Sequence, residues 1–169
     1  LLDNLGGSIA NSGTFNASGT LTKAITGAGT TKVAGTLTLN SGASVEGTLN
    51  LNSGAVTVSS GSIREHNIGT LSSAGSFALD INSGAGTIDK FILANASSGT
   101  INITSLNDIG TKPTTEGSYT YTVISGSGVT LTLDESITTS TDWYQAEATA
   151  HGPHTADTVA ATTDWDDIY

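Results

Sequence analysis

The chain has 169 residues, a formal net charge of −10 at pH 7 and 21 glycines, yet only 12% of its residues are charged. This acidic balance argues against binding to nucleic-acid backbones or anionic membrane surfaces, and the absence of cysteine excludes disulfides and thiolate metal sites. Abundant Gly, Ser, Thr and Asn, with regularly placed apolar residues and 2 prolines, favours an all-β repeat protein over disorder. The absence of Met, including at position 1, indicates a processed chain or a fragment of a longer protein.

The clearest internal repeat lies in the first third of the chain. Gly35–Ala43 is followed by a similar segment, Gly47–Ala55, which begins 12 positions later. Leu alternates with Thr or Asn in both copies, and a period of two is typical of a half-buried strand. The inward positions predicted from this alternation are Leu37, Leu39, Leu49 and Leu51. Strand plus corner occupies about six residues, which is the scale of β-solenoid repeats.

Asn-Ser-Gly segments predict the corners between these strands. They begin at Asn11, Asn40, Asn52 and Asn82. Asn tolerates the left-handed region and can bind its own backbone, and Gly reaches positive φ without strain. Stacked Asn side chains at such corners can also form hydrogen-bonded ladders. The sequence therefore predicts short strands that turn at these positions.

Composition changes near residue 112. Residues 1–112 hold all five basic residues, whereas residues 113–169 hold none and carry nine of the 15 acidic residues. No segment shows a helical period over several turns. We interpret residues 1–88 as a β-solenoid body, residues 89–148 as a cap and residues 149–169 as an acidic tail or linker.

Two segments of the body resemble a known repeat. Gly27–Thr30 and Val33–Leu39 are similar to the strand repeat of bacterial autotransporter passenger domains. The resemblance implies an all-β fold, a right-handed parallel β-helix (β-solenoid) with a C-terminal β cap. It also implies an extracellular location, either secreted or at the bacterial cell surface and outer membrane, with a membrane barrel elsewhere in the parent protein. Binding functions in that family lie on variable loops, so no site residue carries over.

The resemblance extends to the region after residue 88. Asp89–Leu93 and Ser98–Ile103 are similar to the strand pair near the end of such passengers. In the family an insertion and a returning strand follow, and here they correspond to Asn107–Ser118 and Tyr119–Ile124. Val129–Leu133 is then the next strand. By this resemblance the region is an autochaperone-like cap.

Candidate catalytic and metal-binding side chains do not assemble into a motif. His66, His151 and His154 lie in loop-like sequence, and no Gly-x-Ser-x-Gly elbow precedes a helix. His151 and His154, with Asp157, offer two imidazoles and a carboxylate, but Gly and Pro between the histidines form a turn and no further ligand follows. We therefore predict no catalytic residue, no cofactor and no metal, and the chain is not predicted to be an enzyme.

Residues of the C-terminal third leave a binding role open. Trp143, Tyr144 and Trp165 could stack on sugars, although aromatic residues at the end of a solenoid more often cover its core. The acidic cluster lacks a calcium-binding loop, which favours a solvated tail; it comprises Asp164, Asp166 and Asp167. The aromatic and aliphatic tail residues that could dock on a neighbouring copy are Trp165, Ile168 and Tyr169.

Thr-x-Thr pairs raise the question of ice binding. They occur at Thr20/Thr22, Thr36/Thr38, Thr120/Thr122 and Thr130/Thr132. A flat array needs such a pair on every rung, and in the second copy of the repeat the pair becomes Thr48/Asn50. Outward threonine with high β-propensity is the favoured explanation.

The sequence therefore predicts a structural, adhesive scaffold segment of a secreted or surface-displayed bacterial protein. Its expected partners are other copies of itself or a host or extracellular ligand, and not nucleic acid. A subunit of a homopolymeric extracellular fibre or surface layer is the first alternative, and a carbohydrate-binding or carbohydrate-active β-helix is the second. Rungs of about 20 residues would give about five rungs over residues 1–110.

Overall fold

The computed structural model describes residues 7–58, 61–111, 117–134, 145–149 and 156–163. These residues contain strands and turns but no helix, and so none long and apolar enough to cross a membrane. The strands are β1 (Ile9–Ala10), β2 (Thr14–Leu21), β3 (Ala24–Thr26), β4 (Thr30–Leu39), β5 (Ser44–Asn50), β6 (Ala55–Val58), β7 (Glu65–Ser72), β8 (Gly75–Asn82), β9 (Thr87–Ile88), β10 (Lys90–Leu93), β11 (Gly99–Asp108), β12 (Gly117–Ser125), β13 (Val129–Leu133), β14 (Gln145–Thr149) and β15 (Ala156–Thr163).

Parallel pairing dominates the strands from β1 to β13, which belong to one sheet curled into a half barrel. One run of neighbours is β1, β3, β5, β7, β10 and β12. A second run is β2, β4, β6, β8, β11 and β13. Strand β4 joins the two runs because its first half also pairs with β5. The predicted all-β fold of parallel strands is confirmed, and the arrangement is consistent with a β-solenoid.

One rung is the stretch of chain from a residue to its paired partner on the next layer of the stack. Successive rungs lengthen along the chain. Thr14 pairs with Thr30, 16 positions later, whereas Phe91 pairs with Ile124, 33 positions later. In the middle of the stack Leu37 pairs with Val56, 19 positions later. The predicted rung of about 20 residues is therefore right only for the middle rungs. Part of the increase lies in the connections: residues 22–23 separate β2 from β3, whereas residues 94–98 separate β10 from β11.

The two copies of the sequence repeat do not stack on each other. Leu37 pairs with Val56, while Leu49 pairs with Thr31 on one side and with Leu71 on the other. The two copies thus occupy different faces of the curled sheet. A repeat of 12 residues is shorter than the separation between paired residues on any described pair of rungs. The repeat therefore reflects the alternation within each strand and not the pairing between rungs.

The core is a single cluster of mostly aliphatic side chains that runs through the stack. Two phenylalanines lie at its centre: Phe77 and Phe91 pack edge to face with ring centroids 4.9 Å apart. The predicted inward residues Leu37, Leu39, Leu49 and Leu51 are all buried. Ile9 and Phe15, on the first rung, are only partly buried. Apolar burial is therefore most complete in the middle of the stack.

The Asn-Ser-Gly segments lie at strand ends, as predicted. Their amides bind the backbone and not one another: Asn11 donates to the Thr30 carbonyl and Asn52 donates to the Val33 carbonyl. Asn11 and Asn52 therefore use their amides to hold the neighbouring rung's backbone, and not to form a ladder of side chains. Asn52 has a φ of 49°, in the left-handed region that asparagine tolerates.

Replacing Asn52 by alanine is expected to lower the free energy of unfolding by about 1–2 kcal/mol. Alanine is strained at a φ of 49° and cannot donate to the Val33 carbonyl. Urea unfolding measures the loss. The variant Asn52→Gly loses the hydrogen bond but keeps the freedom of φ, so its loss should be smaller. Equal losses for the two variants would show that the backbone conformation contributes nothing.

The last two strands are antiparallel. β15 pairs with β12 on one side and with β14 on the other. The returning strand and the next strand expected from the sequence are both present, as β12 and as β13. The proposed division at residues 88 and 148 stays a prediction, and parallel pairing continues up to Leu133.

Candidate functional site

Buried and half-buried polar side chains collect where β7 begins, β8 ends and β10 begins. We call this group the acidic corner and define it as Arg64, His66, Asp80 and Asp89. Asp89 is fully buried, and His66 and Asp80 are nearly so. Charged groups are rarely buried unless they are hydrogen-bonded. The partners of each group therefore show what the corner does.

Asp89 ties two strands together through its carboxylate. Oδ1 accepts a hydrogen bond from the Arg64 backbone N–H at 2.8 Å, and Oδ2 accepts one from the Asp80 backbone N–H at 2.7 Å. Burial raises the pKa of the Asp89 carboxyl to about 6, although both backbone hydrogen bonds oppose that rise. Asp89 is thus a buried backbone tie whose charge state changes in mildly acidic solution.

Asp80 links three segments of the chain. Its Oδ2 accepts the Gly61 N–H at 2.8 Å, and its Oδ1 accepts the side-chain amide of Asn107 at 2.9 Å. The Asp80 carbonyl also accepts the Asp89 N–H at 3.0 Å. Both carboxylate oxygens are therefore occupied by neighbouring parts of the same stack.

A second carboxylate, Asp108, holds the turn after β8. The Ser83 hydroxyl donates to Asp108 Oδ2 at 2.5 Å. The Gly110 N–H donates to Asp108 Oδ1 at 2.9 Å. Charge-assisted hydrogen bonds of this kind order a turn. Asp108 thus performs the same structural task as Asp80, one rung away.

His66 lies in the core between two rungs. Its Nδ1–H donates to the Ala43 carbonyl at 2.9 Å, since a carbonyl oxygen can only accept. The ring stacks on Phe91 with centroids 5.9 Å apart. Nε2 is buried and has no hydrogen-bond partner in the part of the chain that the structure describes. Burial lowers the pKa of His66, the hydrogen bond to Ala43 opposes this, and the positive charge of Arg64 adds to it.

The chemistry of the acidic corner is structural. A paired carboxylate can serve as a general acid or base only where a substrate reaches it. Asp80 and Asp89 are closed off from solvent, and backbone N–H groups and the Asn107 side-chain amide occupy their oxygens. Across the described ranges, no group of three or more His, Asp or Glu side chains is placed to hold a metal ion. The corner instead fastens β7, β8 and β10 to one another.

A groove lies on the outer surface of the described part of the chain. It has a volume of about 320 Å³ and lies over the first run of strands. Its polar and apolar walls include Ser44, Glu46, Asn67, Ile92 and Ala94. Glu46 Oε2 accepts the Gly27 N–H at 2.9 Å, which anchors one wall. The lining contains no aromatic side chain.

Threonine columns follow from the pairing between rungs. Thr14, Thr30, Thr48 and Thr70 stand in register on consecutive rungs. On the other run the threonine pairs are interrupted too, but by neighbours different from those that the sequence repeat suggested. Thr36 and Thr38 neighbour Ala55 and Thr57, and not Thr48 and Asn50. Pairs of threonines are therefore still interrupted on the next rung.

Most residues considered from the sequence lie outside the described residues. This holds for His151, His154, Trp143, Tyr144, Trp165, Asp164, Asp166, Asp167, Ile168 and Tyr169. Asp157 lies in β15, and its backbone pairs with Ile124. His66, expected in loop-like sequence, is instead buried on strand β7, so that prediction was wrong.

Sequence reasoning overlooked Asp80 and Asp89, although a signal was present. Asp80 follows Leu79 directly at the end of a strand, and Asp89 stands between two apolar strand segments. His66 shares its parity with the inward residue Ile68, which places its ring in the core. For His66, a polar residue at an inward-facing position was thus the available indication.

No protein-family model matches the chain, and no curated protein is significantly similar to it.

Proposed function

We propose that this chain is a structural, adhesive scaffold segment of a secreted or surface-displayed bacterial protein. The observation that carries this proposal is the parallel, in-register pairing of strands along one continuous apolar core. Such stacks keep extended outer faces in a fixed geometry and suit the display of contact surfaces. The net charge of −10 favours solubility of the scaffold.

We also propose that the stack is a right-handed parallel β-solenoid with a C-terminal β cap. Connections between parallel strands of one sheet are right-handed in nearly all proteins, which supports the handedness. The antiparallel pairs of β15 with β12 and with β14 differ from the parallel body and support a cap. A cap of this kind covers strand edges that would otherwise pair with other chains.

The outer faces suit homotypic contact or contact with a host or extracellular ligand. Their in-register columns carry hydroxyl and amide groups with little charge, as in the column Thr14, Thr30, Thr48 and Thr70. Uncharged faces lower the repulsion between acidic copies. The extracellular location and the membrane barrel in the parent protein belong to the same proposal.

Two alternatives have specific support. A homopolymeric fibre or surface layer would use strand edges, and β2 has a described neighbour, β4, on one side only. A carbohydrate-binding role would use the groove lined by Glu46, Asn67 and Ile92. The groove lacks an aromatic stacking platform among the residues that the structure describes, so the scaffold role is preferred.

Inert beads coated with the chain test the scaffold proposal. Coated beads are expected to clump with one another or to adhere to host cells, because folded outer faces supply the contacts. Beads coated with the variant Gly69→Ala, whose stack should be strongly destabilised, serve as the control. Coated beads that neither clump nor adhere would overturn the adhesive role, and release of sugars from a polysaccharide would favour the carbohydrate-active alternative. Indefinite growth of particles in dilute solution would favour the fibre.

A further inference from the structure

Two buried titratable groups lie on the same pair of strands. His66 of β7 is the register partner of Phe91 of β10. Asp89 immediately precedes β10, and its carboxylate accepts the N–H of Arg64, just before β7. Both groups are almost without solvent contact. We call the pairing of β7 with β10 the joint. A proton gained or lost by either group therefore changes the stability of this joint.

The two groups respond to acid in opposite directions. The folded pKa of His66 lies below the ordinary value of 6.5, so the unfolded chain takes up a proton first and stability falls as the pH drops below 6.5. The folded pKa of Asp89 is about 6 against an ordinary value of 3.8, so the folded chain takes up a proton first. Stability from Asp89 therefore rises as the pH falls from 6 towards 3.8.

We propose that His66 and Asp89 form a compensating pair that keeps the joint between β7 and β10 equally stable as the surroundings become mildly acidic. The geometry supplies a reason for each response. Protonated His66 would bring a second N–H, on Nε2, into a position that has no acceptor in the described part of the chain. Protonated Asp89 removes a buried charge that faces the carboxylate of Asp80.

Other charged groups around the joint do not change the opposite responses of His66 and Asp89 to pH. Arg64 lies next to both members of the pair and opposes positive charge on His66 while favouring negative charge on Asp89. Glu65 and Lys90 pair with each other on the outer side at 3.9 Å. Glu46 of β5 is exposed and bound to the Gly27 N–H. The exposed Glu65 therefore supplies a matched control for a buried carboxylate.

Urea unfolding of the 169-residue chain between about pH 4 and pH 7 tests the pair. As the pH is lowered, the folding equilibrium constant of Asp89→Asn should fall relative to that of the wild type, by up to about tenfold for each pH unit. His66→Leu should gain by a similar factor over the range in which His66 itself titrates, below pH 6.5. The double variant should show the same pH dependence of the free energy of unfolding as the wild type. Glu65→Gln should also leave this pH dependence unchanged. A single variant with the wild-type profile, or two single variants that change in the same direction, would overturn the proposal.

Nuclear magnetic resonance of the wild-type chain gives a second test that needs no variant to fold. The side-chain nitrogens of His66 should titrate below pH 6.5, and the carboxyl carbon of Asp89 should titrate near pH 6. An ordinary midpoint for either group would refute the pair. These readouts are independent of adhesion, so the scaffold proposal can fail while the pair stands, and the reverse also holds.

Discussion

Replacing Gly69 by alanine is expected to lower the free energy of unfolding by about 3 kcal/mol or more. A Cβ atom at this position would overlap the carbonyl oxygen of Glu46 and would lie 2.6 Å from that of Gly47. Both obstacles are backbone atoms of the neighbouring rung, so no side-chain rotation relieves the overlap. The close approach occurs where the register between β5 and β7 shifts. Urea unfolding, with circular dichroism of the strands as the signal, measures the loss.

Gly13→Ala is the matched control for this prediction. A Cβ atom at Gly13 would meet nothing within 4 Å, and the residue has an ordinary φ. The substitution should change the free energy of unfolding by less than about 1 kcal/mol in either direction. A loss at Gly13 as large as that at Gly69 would show that chain flexibility, and not the contact between rungs, determines the effect.

Removing the Phe91 ring should have an equally large effect. Phe91→Ala is expected to lower the free energy of unfolding by about 3–5 kcal/mol, since it leaves a cavity in a closely packed core. The ring is fully buried and packs against both Phe77 and His66. No other described rung can move into the space, because strands on either side of β10 fix its position.

Phe15→Ala provides the comparison for Phe91. Phe15 is only partly buried on the first rung, so the same change of side chain should lower the free energy of unfolding by about 1–2 kcal/mol. Thermal unfolding of both variants gives an independent ranking. Equal losses at the two positions would mean that the first rung is packed as tightly as the middle of the stack.

Local features of the fold were predictable from the sequence because they depend on neighbouring residues. Alternation of Leu with Thr placed Leu37 and Leu39 inside. Turn chemistry placed corners at Asn40 and Asn52. Strand β13 coincides with the predicted segment Val129–Leu133.

Pairing between rungs was not predictable in the same way. Neighbours across rungs are separated by different numbers of residues, as in Thr14 with Thr30 and Phe91 with Ile124. A repeat of constant length within the sequence cannot represent these distances. The compensating pair was hidden for a related reason, since Asp89 becomes buried only when Arg64 and Asp80 meet it from other strands.

The lengthening of successive rungs has a consequence for how such a chain can change. Rungs range from 16 positions between paired residues near one end to 33 positions near the other. Doubling the length of a flexible connection costs only about 0.6 kcal/mol in loop-closure entropy. The paired columns that form the core are therefore insensitive to how much chain lies between them. Insertions at corners can accumulate new surface sequence without disturbing the core, so the stack acts as a fixed frame on which evolution can vary the connections.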